Sequence, residues 1–96
     1  MFTVIETEGF AEWLEALKDR STRIRLARRL SKVRAGNLGD VKPVGAGVYE
    51  MREFFGPGWR MYYVERSGAI IVMLGGGDKS NQAADIRKAI KLAKEL

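Results

Sequence analysis

The sequence predicts an α+β domain in the order β-α-α-β-β-β-α, with an N-terminal helical hairpin packed on a twisted antiparallel sheet and a C-terminal helix closing the chain. Three observations lead there. Two early segments carry apolar residues at helical spacing. A middle segment is rich in aromatic and branched residues and is broken by Gly56-Pro57-Gly58. A last segment returns to helical spacing after a run of glycines.

Met1 to Glu6 brings Phe, Thr, Val and Ile together and suits a short opening strand. Thr7 follows as a helix cap. Phe10, Trp13, Leu14 and Leu17 then fall at i, i+3, i+4 and i+7, one buried stripe, and Asp19 or Ser21 offers an oxygen to start the second helix. That helix spans about Ser21 to Ala35, with Leu26, Ala27, Leu30 and Val33 inward. Around them stand Arg23, Arg25, Arg28, Arg29, Lys32 and Arg34, six basic residues without one acid. Gly36 to Asp40 ends the helix, and Val41-Lys42-Pro43-Val44 is a short extended piece whose proline suits a sheet edge.

Val48 to Phe55 and Trp59 to Arg66 are strands joined by a three-residue turn, and Ser67-Gly68 turns into Ala69 to Leu74, an apolar run expected to be buried on both faces. Gly75-Gly76-Gly77 is expected as a flexible strand-to-helix turn, with Ser80 or Asn81 capping a helix that points Ile86, Ala89, Ile90 and Ala93 inward. A symmetric hairpin sets Phe55 opposite Trp59, Phe54 opposite Arg60 and Arg52 opposite Tyr62. Strand alternation then gives Tyr49, Met51, Phe55, Trp59, Met61 and Tyr63 to the core. Glu50, Arg52, Phe54, Arg60, Tyr62 and Val64 fall on the opposite face, expected to be exposed.

Composition narrows the chemistry. Ninety-six residues, 46% hydrophobic and 30% charged, form one small domain over residues 1–96 with a modest core. No apolar run reaches the length of a membrane span, and the N-terminus turns acidic too early for a signal peptide, so a cytoplasmic protein is expected. With no cysteine and no histidine there is neither a disulfide framework nor a zinc-type metal site, and no cofactor is expected. Histidine-based catalysis is excluded as well, which leaves Lys, Arg, Tyr, Asp and Glu.

A net charge of +5 points mildly to a polyanion or an acidic protein. The basic helix is either a solvated face or a surface whose like-charge repulsion a phosphate backbone relieves. The Arg52, Arg60 and Tyr62 face is likewise either plain sheet surface or a nucleic-acid site, where guanidinium groups pair with phosphates and rings stack on bases. Lys79, at the end of the last strand, is placed to join Arg52 and Arg60 around one phosphate. The glycine run lacks the spacing of a Walker loop.

The stretch GNLGDVKPVGAGVYEMREFFGPGWRMYY, followed by GGGDKSNQAADIRKA, resembles the phage-derived, HigB-like branch of the RelE/ParE toxins of bacterial toxin-antitoxin modules. The likeness covers about residues 10 to 92. Its specificity lies in the combination of G-[DN]-x-K-x-V-G, E-x-R-x-x-x-G-P-G-[YW]-R and G-G-D-K-S-x-Q. It implies a RelE-like fold and a ribosome-dependent endoribonuclease that cuts mRNA by attack of a ribose 2'-OH on the adjacent phosphate. A cognate antitoxin, typically a small helix-turn-helix protein, would neutralise it by covering the basic face.

By position, the resemblance makes Arg60 the arginine that contacts the scissile phosphate. It sets Arg52 near the strand lysines of such toxins and matches Lys79 to their basic turn. Tyr62 joins this catalytic set from hairpin geometry alone. Arg23, Arg25, Arg28, Arg29, Lys32 and Lys42 are the expected contacts to RNA and the ribosome. Glu50 is expected as a partner of Arg52, with a catalytic base the alternative. No residue of the final helix, which ends with Lys91, Lys94 and Glu95, supplies the C-terminal tyrosine or histidine used elsewhere in the superfamily. A gyrase poison of the ParE kind and a non-catalytic nucleic-acid-binding relative are the competing functions.

Overall fold

The computed structural model describes residues 1–96. Thr7 caps helix α1 (Glu8–Ala16) by accepting from the Phe10 amide at 3.3 Å, and its hydroxyl donates to the Met73 carbonyl at 2.8 Å. The same side chain thus starts the helix and fastens it to the sheet. Asp19 caps α2 (Arg20–Arg34), and Gly36, at φ 101°, turns the chain out of it.

Five strands form one sheet in the order β1-β5-β4-β3-β2: β1 (Thr3–Glu6), β2 (Val41–Gly45), β3 (Val48–Arg52), β4 (Trp59–Arg66) and β5 (Ile70–Asp78). The α+β class holds, with one strand added to the expected order and one departure from an all-antiparallel sheet. Val41–Gly45 is a full edge strand, where Pro43 is tolerated, and β1 joins the far side of the sheet parallel to β5 while every other pairing is antiparallel.

The hairpin register also differs from the symmetric expectation. Arg52 pairs with Arg60, Met51 with Met61, Glu50 with Tyr62 and Tyr49 with Tyr63. Glu53 to Gly58 forms the connection, closed by hydrogen bonds from the Glu53 amide to the Trp59 carbonyl and from the Gly58 amide to the Phe55 carbonyl. Phe54 and Phe55 therefore belong to the loop and oppose no strand residue. The slip is two positions, and a shift by an even number leaves each side chain on its own face.

Those faces are covered from both sides. Phe10, Leu26, Leu30 and Val33 of α1 and α2 pack on Met51, Met61, Tyr63, Ile71 and Met73. On the opposite face the last helix, α3 (Gln82–Glu95), brings Ala89, Ile86 and Ile90 onto Val48, Tyr62, Val64 and Leu74. Glu50, Arg60, Tyr62 and Val64 are each at most 4% exposed, so that part of the face expected to meet solvent is an interior, while Arg52 and Phe54 at the hairpin end stay accessible. The stripe of α3 was legible, but its docking face was not.

Gly75 to Gly77 continues β5 instead of turning. A side chain on Gly76 would meet the Trp13 ring at 2.4 Å, and one on Gly77 would meet the Asp85 carboxylate at 2.0 Å. The glycines let both helices approach the end of the strand. Asp78 then caps a short 3-10 turn (Lys79–Asn81) by accepting from the Ser80 amide, and Asn81 makes no side-chain cap to α3.

Candidate functional site at the hairpin end

Arg60 is the second residue of β4, just past the turn, and is 4% exposed. Its Nη1 donates to the carbonyls of Glu53 and Trp59, both at 3.0 Å. Its Nε faces Glu50 Oε1 at 3.6 Å without a hydrogen bond, and Glu50 Oε2 accepts from Gln82 Nε2 at 2.7 Å. The Nη2 group donates to no protein atom and, unlike Nε, is not sealed from solvent. A buried ion pair thus anchors one side of the guanidinium and leaves the other open.

Lys79 comes to the same end of the hairpin. A Cβ on Gly58, whose φ of 83° favours glycine, would come within 3.1 Å of Lys79 Cδ and 3.7 Å of Arg60 Nη1. The lysine stem therefore crosses the turn next to the arginine. Arg52 stands opposite Arg60 across the hairpin, and its charge is balanced by Asp40 at 3.3 Å. The Arg52 and Arg60 guanidinium carbons lie 5.5 and 5.6 Å from the centroid of Phe54, which is 71% exposed. Arg52, Arg60 and Lys79 are brought together as expected. Glu50, however, serves Arg60 and Gln82 rather than Arg52, whose carboxylate is Asp40.

Tyr62 is not part of this group. It is fully buried beneath α3, and its hydroxyl has no hydrogen-bond partner. Burial, reinforced by the negative charge of Glu50, pushes that hydroxyl well above the usual tyrosine range. A group with this burial and basicity is closed to a substrate.

The α2 arginines divide in the same way. Arg29 is 8% exposed and takes the inward position expected of Ala27, which is exposed. Its guanidinium pairs with Glu53 and donates to the carbonyls of Leu38, Asp40 and Arg52, so it clamps the α2–β2 connection to the hairpin loop. Arg23 donates to the Leu17 carbonyl at the end of α1. Arg25 lies 3.7 Å over the Phe55 ring, and with Arg28, Arg29, Lys32 and Glu53 it lines a wholly polar cavity of about 170 Å³. Lys42 is exposed on the edge strand β2, opposite Glu50 in the ladder, and touches none of this group.

Sequence reasoning missed Glu53 and Phe54. Glu53 joins the two basic clusters, since its carboxylate holds Arg29 while its carbonyl holds Arg60. A signal for Arg29 was present, because 26, 29, 30 and 33 is itself a helical stripe.

No protein-family model matches the chain. A Haemophilus influenzae protein, itself uncharacterized, is 39% identical over 90 residues, which is 94% of this chain and 91% of that protein. Among solved structures, a free form of the Escherichia coli toxin RelE carrying two arginine-to-alanine substitutions superposes with a TM-score of 0.72. It is 17% identical, over 94% of this chain and 95% of that one. A chain of the intact E. coli RelBE toxin-antitoxin complex gives 0.67 at 16% identity, over 81% of this chain and 96% of that one.

Proposed function

We propose that this chain, which belongs to one family with the Haemophilus influenzae protein and has the fold of RelE, is the toxin of a type II toxin-antitoxin module. In this reading it is a HigB-like, ribosome-dependent endoribonuclease of the cytoplasm. The observation that supports it most directly is the half-open guanidinium of Arg60, held rigid from behind and flanked by Lys79 and Arg52.

The reaction needs little more than fixed positive charge. The ribose 2'-oxygen gives its proton to water and bonds to the adjacent phosphorus, the P–O5' bond breaks as the 5'-oxygen takes a proton from water, and the products are a 2',3'-cyclic phosphate and a 5'-hydroxyl. Negative charge grows on the phosphate oxygens at the midpoint. Arg60 Nη2, on a guanidinium already anchored by folding, and the Lys79 ammonium stabilise that charge in the transition state. Arg52 orients the phosphate. Arg25, Arg28 and Lys32 hold the flanking strand or ribosomal RNA through phosphate contacts. A cognate antitoxin would neutralise the chain by covering this basic end.

The test is cleavage on mRNA-programmed ribosomes, with 5' ends mapped. The chain is expected to cut mRNA in the ribosomal A site, and Arg60→Ala to lower the rate about 10²- to 10³-fold. Unchanged cleavage in Arg60→Ala removes the site. Growth arrest with gyrase inhibition and no cut mRNA makes the chain a ParE-like poison instead.

A further inference from the structure

The β3–β4 loop carries two consecutive phenylalanines with opposite fates. Phe55 packs against the core under the Arg25 guanidinium, whereas Phe54 is 71% exposed. Leaving such a ring in water forgoes burial that the adjacent core provides to Phe55. The Phe54 ring is nonetheless not isolated. Two guanidinium groups approach it, one tied to Asp40 and the other anchored by Glu50, so the cations beside the ring are themselves fixed.

An exposed aromatic beside cations that face phosphate is the arrangement by which proteins hold single-stranded nucleic acid. The charges track the backbone, and the ring takes the π-face of a base. We infer that Phe54 is a stacking platform for a base of single-stranded RNA, adjacent to the phosphate held by Arg60 and Lys79. This rests on the ribonuclease reading above and adds a recognition element to it. Stacking tolerates any base, so the platform fixes the position of the strand and not its sequence. It orients the ribose for in-line attack by anchoring the neighbouring base.

The experiment uses the full chain and a short single-stranded RNA containing 2-aminopurine, with a second RNA carrying an abasic site at the same position. Phe54→Ala is expected to weaken binding about 5- to 150-fold. It should also abolish the change in 2-aminopurine fluorescence. Phe54→Trp should retain binding, and Phe54→Leu, apolar but without a π-face, should not. The abasic RNA should cost the unmodified chain as much as Phe54→Ala does, and cost Phe54→Ala nothing further. If the chain cleaves mRNA on ribosomes but does not bind the short RNA, or binds it no better than Phe54→Ala and Phe54→Leu do, stacking is overturned while the ribonuclease stands. If the chain neither binds RNA nor cleaves mRNA on ribosomes, both fall together.

Discussion

Arg29 on α2 and Arg60 on β4 both keep less than a tenth of their surface exposed, yet their surroundings differ in kind. Arg29 spends its guanidinium on three backbone carbonyls and the Glu53 carboxylate, all within the protein. Arg60 meets two carbonyls on one nitrogen, faces Glu50 with a second, and leaves the third unbonded. Burial alone does not separate these two arginines. The count of donors left over does.

The largest effect expected from this contrast is at Arg29. Arg29→Ala strips the Leu38 and Arg52 carbonyls and the Glu53 carboxylate of their donor and leaves the Asp40 carbonyl with the Arg52 amide alone, and removing one partner of a buried pair costs about 3–5 kcal/mol. Chemical denaturation should show that loss. Arg29→Lys should recover little of it, because an ammonium cannot span carbonyls on two segments as a planar fork does. Any loss of cleavage should follow the unfolded fraction. If Arg29→Ala folds normally yet cannot cleave, Arg29 belongs with Arg60 and the distinction collapses.

Arg60 should behave in the reverse sense, and a paired substitution shows it. Arg60→Met alone leaves Glu50 buried with only Gln82. Adding Glu50→Gln removes the stranded charge, and replacing both members of a buried pair is often nearly neutral. The double variant should regain most of the stability that Arg60→Met loses and none of its cleavage. The same repair at Arg29 and Glu53 should fail, since the carbonyls of Leu38 and Arg52 would still lack the donor that Arg29 supplies.

The hairpin shows how far sequence reasoning reaches. Alternation sorted Met51, Met61 and Tyr63 from Glu50, Arg60 and Tyr62 correctly even though the register was off by two, because parity survives an even slip. It could not say that both faces are covered. That depends on where α3 docks, a choice made by contacts more than twenty residues apart, such as Tyr62 with Ala89. The glycine run was read as a turn for the same reason: its neighbours, Trp13 and Asp85, come from distant helices. Arg52, Arg60 and Lys79 were legible because the hairpin and the strand end bring them together locally. Phe54 escaped attention because the symmetric register gave it a place in a strand.

Asp85 offers a third case between those two arginines and the smallest predicted effect. Its carboxylate lies over Gly77, with Asn81 donating at 3.5 Å. Burial is the main influence on it, aided by the nearby Asp78 charge and opposed by Lys88, and the net result raises its pKa above 3.8. Asp85 also sits in the first turn of α3, where a negative charge gains about 0.3–1 kcal/mol from the helix N-terminus. Because the pKa nevertheless rises, burial outweighs that gain. A carboxyl whose folded pKa exceeds its unfolded one contributes fully below the unfolded value, and that contribution is lost as pH climbs through the folded value. The ionised group is therefore a net cost at neutral pH. Asp85→Asn should stabilise the fold at pH 7 by about 0.5 kcal/mol or less. The advantage should close as pH falls toward 3.8, in denaturation curves measured across that range. An Asp85→Asn variant that is less stable at pH 7 would show that the helix terminus dominates and that the carboxylate, like Arg29, is a structural charge in its proper place.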